Sequence, residues 1–279
     1  MTKDRLIRIV RGNFGRATLH LIEGALVSHA HAEFHLIFKL GGADATFIAD
    51  GETVRVRDDS ALAFNPWVPH LKLDSDGEPS LLLALLLEPE WLGNVMGVSN
   101  PASGCHFCSA SVAIGEKTAA DLQWLATLMA QHSTDDNADD VEVVLASLVQ
   151  GVAQNHLRQR NMTEILANSR PLDFRVRRAA EYIRQHASEN PNVEHVAAAV
   201  GMSRSRLFDQ FKACMGVSPQ QYLDWVRVRH ATRLLAQPGV TVGQVSHQLG
   251  FSAQSHFTRF FVQHLGLSPT EFRRNGALA

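Results

Sequence analysis

The stretch SHAHAEFHLIF, residues 28–38, places three imidazoles, His29, His31 and His35, within seven residues. Imidazole is the commonest transition-metal ligand among side chains, and it also hydrogen-bonds polar molecules as donor or acceptor. In an extended strand the three rings share one face. Neighbours two apart then lie about 7 Å apart along the strand, close enough to converge on one ion, while His35 lies roughly 13 Å beyond His31. A three-histidine site therefore requires a bend or bulge between Ala32 and Phe34. A fourth candidate is His70, in NPWVPHLKL. Three readings stay open at this point: a metal, for which all-imidazole ligation suits zinc, nickel, copper or iron; a wall for a small polar ligand; or rings that are simply packed.

The elements that must hold these residues read as β over the first hundred residues. ATLHLIEG and FHLIFKLGG alternate, and ATFIADGETVRV places Asp50-Gly51 between two alternating runs. That dipeptide is a strong hairpin signal, because a type I′ turn needs positive φ at both central positions. SALAFNPWVPHLKL and PSLLLALLLEP predict two further strands, and the whole predicts a small barrel or sandwich. From Glu116 the period changes to helical: EKTAADLQWLATLMAQH spaces Leu122, Leu125, Leu128 and Met129 on one face. STDDNADD breaks it, VEVVLASLVQGVAQNHLRQR is a second amphipathic helix, and residues 161–172 read as a linker. The helix pair either packs within its domain or forms a dimer interface. CHFC, Cys105 to Cys108, is a lone CxxC without the two further ligands a zinc site wants.

Composition divides the chain in the same place. Residues 1–169 hold 12 Lys+Arg against 21 Asp+Glu, whereas residues 170–279 hold 14 against 7, all but one of those bases arginine. A basic C-terminal module that meets a polyanion, carried by an acidic one that does not, is the reading this balance supports. The longest purely apolar run, LLLALLL at 81–87, is far short of a bilayer span, and MTKDRLIRIVRG has no apolar signal core. With three cysteines, too few for a paired framework, this predicts a cytoplasmic protein with no membrane partner. Arg5, Arg8, Arg11 and Arg16 make a basic leading arm that either contacts a ligand or the basic C-terminal module or is simply solvated.

The C-terminal third contains an internal repeat. Gly201 recurs at Gly250, and Leu207, Phe211, Gly216, Pro219 and Tyr222 recur fifty residues on at Phe257, Phe261, Gly266, Pro269 and Phe272. Each unit reads as helix, glycine turn, helix, with Ser203 and Ser252 capping the second helix. The buried stripe of Leu207 and Phe211 leaves Arg204, Ser205, Arg206, Asp209 and Gln210 outward; Phe257 and Phe261 leave Gln254, Ser255, His256, Thr258 and Arg259 outward. Short hydroxyls, amides and arginines on the leading turns suit the major groove of DNA. PQQYLDWVRVRHATRLLAQP is one helix joining the two readers.

These residues carry a specific resemblance. Residues 173–274, and LGFSAQSHFTRFF followed by GLSPTEFR above all, resemble the DNA-binding domain of the AraC/XylS family of bacterial transcription regulators. The resemblance implies paired readers in consecutive major-groove segments, promoter DNA and RNA polymerase as partners, and a homodimer. By position, Ser205, Asp209, Gln254, Ser255 and Arg259 would meet bases, while Arg204, Arg206 and Lys212 would meet phosphates. An Asp is tolerated there where it accepts from a cytosine amino group or pairs with a neighbouring arginine.

The order Gly24, His29, His31, His35, Gly42, Pro66, His70 in turn resembles the two motifs of the cupin barrel. It departs from them in two places: His35 stands where metal cupins usually carry Glu, and the second motif is one residue short with Val68 in place of its glycine. Sensor barrels of this kind in AraC-type regulators often bind a small effector in place of a metal. His29, His31, His35, Trp67 and His70 are the expected effector contacts, Trp67 as a stacking wall; His29, His31, His35 and His70 are the expected ligands should a transition metal bind. The expectation is therefore a two-domain chain: residues 1–160 an all-β cupin-like barrel with a following helix pair, residues 173–279 an all-α double helix-turn-helix. It reads as an effector-responsive DNA-binding regulator and not an enzyme, since no general-base constellation accompanies the histidines. A constitutive dimeric DNA-binding regulator and a metal-dependent cupin sensor or enzyme are the alternatives.

Overall fold

The computed structural model describes residues 4–75, 78–97, 105–131, 138–159 and 174–276. The N-terminal domain is two antiparallel sheets. Strands β1 (Arg5–Gly12), β2 (Gly15–Ile22), β4 (Phe34–Gly42), β7 (Ser60–Phe64), β9 (Ser80–Leu87) and β11 (Ser111–Ala113) form one, in the order β1-β2-β9-β4-β7-β11. Strands β3 (Leu26–His29), β5 (Ala45–Ala49), β6 (Glu52–Val56) and β8 (His70–Lys72) form the other, in the order β3-β8-β5-β6. They stack as a sandwich that does not close into a barrel. Between them lies a core of Ile22, Ile37, Leu62, Phe64 and Leu82 against Phe47 and Val56.

The larger sheet is buried on both faces. Its outer residues, among them Leu19, Leu36, Phe38, Leu83 and Leu85, pack beneath α1 (Pro89–Met96), α2 (Glu116–Ala130) and α3 (Ala138–His156) in one core. This explains the unbroken leucine run of β9, for a strand covered on both sides needs no polar alternation. Of the helix pair, Leu122, Leu125, Leu145 and Leu148 are intradomain core, while Trp124 and Val143 are exposed.

Local expectations held where the signal was local. Asp50 (φ 50°) and Gly51 (φ 85°) make the tight turn between β5 and β6. Others shifted. SALAFNPWVPHLKL is two strands, β7 and β8, broken at Asn65–Pro69. The tail of the second helix becomes a strand, β12 (Leu157–Gln159), paired with β10 (Cys105–Phe107). Cys105 thus lies on a strand with no helix start after it. The basic leading arm is a paired strand and not a free tail: Arg5–Gly12 is β1 and pairs with β2 through Arg11↔Arg16, with Arg5 exposed and Arg11 and Arg16 turned to the interdomain cavity. The expected linker at 161–172 lies outside the described residues.

The C-terminal domain is helical: α4 (Phe174–His186), α5 (Val193–Ala199), α6 (Arg204–Met215), α7 (Pro219–Leu235), α8 (Val242–Gln248), α9 (Gln254–Leu265) and α10 (Pro269–Gly276). Helix α7 spans the two units. Each unit has its own core, and both cores reach into the N-terminal domain. Ala30 packs with Leu207, Phe211 and Tyr222, and Leu6 and Ile9 pack with Phe257, Phe261 and Phe272.

Candidate functional site

Chain geometry bends where convergence demands it. Strand β3 ends at His29 and β4 starts at Phe34, so SHAHAEFHLIF is two strands and a turn, with His31 in the turn. Strand β8 supplies the fourth ring, since His70 pairs directly with His29. Ring nitrogens of His29, His31 and His70 lie within 4.8 Å of one another. His35 Nδ1 stands 3.3 Å from His31 Nε2 and 3.2 Å from His70 Nε2. All four predicted histidines therefore meet. Burial pushes all four pKa values below the ordinary histidine value, and their mutual proximity pushes His29, His35 and His70 further. They are neutral at physiological pH.

Three of these rings, His29, His31 and His35, open onto a cavity of about 380 Å³. One wall is the inner face of the larger sheet, with Arg16, Thr18 and His20 on β2 and Ala84 and Leu86 on β9. The opposite wall is the helical domain, with Asp224, Trp225, Val228 and Arg229 on α7, His264 and Leu265 on α9, and Phe272 on α10. The lining is mainly apolar, and its charged groups are Arg11, Arg16 and Arg229 beside Glu33, Glu88 and Asp224. Burial lowers the Arg16 pKa to about 10, which still leaves it charged, and its Nε is buried without a hydrogen-bond partner. By contrast Lys72, fully buried, donates to the carbonyls of Glu23, Gly24 and Leu73 and to Ser75 Oγ. Arg16 thus brings to the cavity a charged group whose Nε is buried without a partner, a donor an anion can meet. His20 is held neutral, its pKa pushed down to about 4 by burial.

Trp67 does not serve as a stacking wall for this cavity. Its backbone is left-handed (φ 64°) and its ring packs on Tyr222 and Trp225, with centroids 5.3 and 4.9 Å away. It docks the two domains. Beside it, Trp225 Nε1 donates to Glu33 Oε2 at 3.2 Å, and the Trp67 amide donates to the His31 carbonyl at 2.8 Å. His70 lies behind the cavity, 2% exposed. Arg16 and His20 share one strand face in GRATLHLI, a spacing that the reading of Arg16 as part of a leading arm passed over. Trp225, Arg229 and His264 carried no such signal, because their role depends on how one domain sits on the other.

On the helical domain the predicted readers are displayed as expected. Arg204, Ser205, Arg206, Asp209, Lys212, Gln254, Ser255, His256 and Arg259 are exposed, and Gln210 and Thr258 half-buried, over the buried Leu207, Phe211, Phe257 and Phe261. Ser203 caps α6 through the Arg206 amide. Ser252 does not cap α9: the N-cap is Ala253, and Ser252 Oγ instead meets His256 Nδ1 at 2.9 Å. Arg204 pairs with Glu194 at 3.1 Å. Phe208, passed over in the sequence, is 44% exposed on α6.

Comparison with known proteins bears on the same parts. The family model described as a helix-turn-helix domain matches residues 196–275. The lactose operon transcription activator of Staphylococcus xylosus is 26% identical over 191 residues, 66% of each chain. The arabinose operon regulatory protein of Escherichia coli (strain K12) is 36% identical over 104 residues, 37% of this chain and 36% of that one. The match thus spans from about a third to two thirds of the length of these curated relatives. Among solved structures, apo ToxT from Vibrio cholerae strain SCE256 superposes with a TM-score of 0.57 at 12% identity, covering 96% of this chain and 98% of that one. Unsaturated-fatty-acid-bound wild-type ToxT from the same strain gives 0.52 at 12% identity, over 98% and 94%. Identity that low speaks for the shared two-domain fold alone.

Proposed function

With an AraC-type helix-turn-helix domain at its C-terminus this chain belongs to the AraC/XylS family, and we propose that it is a cytoplasmic, sequence-specific transcriptional regulator whose grip on promoter DNA answers to a small amphipathic carboxylate held between its two domains. The observation that carries the effector reading is the cavity walled by both domains, with Arg16 buried in it. A carboxylate would give Arg16 the charge-assisted partner its Nε lacks, and an apolar tail would lie along Ile9, Leu26, Ala84, Leu86 and Val228. The fatty acid named in the ToxT structure is of the same chemical class.

The coupling follows from where the cavity lies. A molecule touching β2 on one side and α7 on the other binds with different affinity when the domains shift, so occupancy biases their arrangement. That arrangement, in a homodimer, sets whether α6 and α9 can enter successive major-groove segments and whether RNA polymerase is contacted. Ser205, Asp209, Gln254, Ser255 and Arg259 read bases; Arg206 and Lys212 hold phosphates, and Arg204 does so on leaving Glu194. No step of bond-making is required of any residue.

The test is a titration of selected DNA sites with wild-type, Arg16→Met and Arg259→Ala proteins, with and without monocarboxylates of graded chain length. In the wild type one carboxylate should change DNA affinity by about 5- to 150-fold, the usual range of allosteric coupling. Arg16→Met should keep DNA binding and lose the response. Arg259→Ala should weaken specific binding by about 1–3 kcal/mol and relax discrimination at one base. Wild-type DNA affinity indifferent to every carboxylate would replace this reading with that of a constitutive dimeric regulator.

A further inference from the structure

Helix α7 belongs to both helix-turn-helix units and passes from one core to the other over a few residues. Tyr222, Leu223 and Val226 lie in the core of the first unit, Ala231 and Leu235 in the core of the second. Arg227 stands at the crossing, 4% exposed. Its Nη2 donates to the Leu249 carbonyl at 2.9 Å, at the end of α8 and just before the turn at Gly250. Its Cζ lies 4.0 Å from the centroid of the Phe251 ring and 5.2 Å from that of Phe260. Phe251 packs in turn on Phe257, in the buried stripe of α9, with centroids 5.3 Å apart. One side chain therefore meets the end of α8, the turn and the aromatic packing beneath α9. It is a costly way to join them. The Arg227 Nε is buried without a hydrogen-bond partner, and apolar replacement of such a buried charge is often no less stable. What a planar guanidinium supplies and an apolar side chain does not is direction: donors fixed in its plane and stacking faces on either side hold a partner at one angle.

We propose that Arg227 is the positioning residue that fixes the angle between the two readers, α6 and α9, and so sets the half-site spacing the protein accepts. The proposal rests on the reading of α6 and α9 as the elements that enter successive major-groove segments. DNA geometry supplies the need for such a device. Each base pair advances the duplex by about 3.4 Å and turns it by about 35°. Two readers act together only where their mutual placement matches that screw, and a loose pair forfeits part of the roughly 10²- to 10⁴-fold avidity that linkage brings. The N-terminal domain braces the units from outside, through Ala30 on the first and Leu6 and Ile9 on the second. Arg227 braces them from within.

The experiment uses the full chain and duplexes that the wild type selects from a random library. In one set either half-site is scrambled; in another, base pairs are inserted between the halves, up to about half a turn. The wild type should prefer the intact duplex to either half and show a sharp spacing optimum. Arg227→Lys, which keeps the charge and a donor but not the planar stack, and Arg227→Met should broaden that optimum. The intact-over-half ratio should fall at least about fivefold, a part of the avidity, with half-site affinity unchanged. Because Arg227 is buried, the salt dependence of half-site binding should match the wild type. A slope lower by about one would make Arg227 a phosphate contact and overturn the proposal. So would variants that keep the wild-type spacing profile. Circular dichroism melts report whether each variant folds. Should the arginine variants melt early, Phe260→Leu removes a ring from beneath the guanidinium and tests the same contact from α9, where an unchanged profile again overturns the proposal. A wild type with no preference for the intact duplex would refute the paired-reader reading, and this proposal with it.

Discussion

Trp225→Phe should loosen the two domains without unmaking either. The substitution keeps an aromatic ring for Trp67 and Tyr222 to pack on, and deletes the Nε1–H that donates to Glu33 Oε2 at 3.2 Å along with part of the indole's packing surface. Glu33 is 8% exposed, so its carboxylate would lose a donor where water cannot readily replace it. A hydrogen bond to a charged group contributes about 1.5–3 kcal/mol, and leaving the buried partner unsatisfied sets the cost near that range. At about 1.4 kcal/mol per factor of ten, the docked-to-undocked ratio should fall about tenfold to a hundredfold. One fluorophore on each domain, read by energy transfer, measures the ratio, and melting temperatures of the separate transitions report whether each domain stays folded. An unchanged distance distribution would refute the reasoning. It would mean that the Trp67–Tyr222 packing and the shared apolar cores around Ala30, Leu6 and Ile9 hold the domains without this bond.

Two further outcomes follow from the same structure. The repeated turn glycines Gly201 (φ 66°) and Gly250 (φ 68°) share a left-handed backbone but not their surroundings: a Cβ meets nothing within 4 Å at Gly201, and would lie 2.4 Å from the Ser188 carbonyl oxygen at Gly250. Gly201→Ala should therefore cost about 1–2 kcal/mol, the left-handed penalty alone, and Gly250→Ala distinctly more, as read by urea unfolding and by lost DNA binding. Equal costs would show that the backbone around Ser188 yields. For His20, held near pKa 4 against an unfolded value of 6.5, the sign is set by which state binds the proton first. Below 6.5 the unfolded chain protonates while the folded one does not, so this residue's stabilisation is full above pH 6.5 and is lost as pH falls toward 4, at up to about 1.4 kcal/mol per pH unit. His20→Gln should flatten that part of the wild-type stability profile, and an unaltered slope would show that His20 is solvated in the folded state.

Much of what depended on neighbours close in sequence was legible before any fold was known, though Ser252 does not cap α9 and Leu157–Gln159 leaves the helix for a strand. Asp50-Gly51 marks its hairpin because the turn needs positive φ at two adjacent residues. The fifty-residue recurrence of Leu207, Phe211, Gly216 and Pro219 marks two helix-turn-helix units because each unit is held by its own short-range stripe and cap. The exposed faces of α6 and α9 follow from that stripe, and the charge balance of 14 to 7 in residues 170–279 names a polyanionic partner. The four histidines were visible as residue types, and the need for a bend near Ala32 followed from strand spacing. What took tertiary structure was the closure. Arg16 reads as part of a leading arm until β1 and β2 pair and bury it, and Trp67 reads as a pocket wall until α7 brings Tyr222 and Trp225 against it. The cavity has one wall from β2 and β9 and another from α7, α9 and α10, more than a hundred residues apart in the chain. Sequence periodicity reports which face of an element is buried, but not against what. A site made between two such faces exists only once the domains are docked.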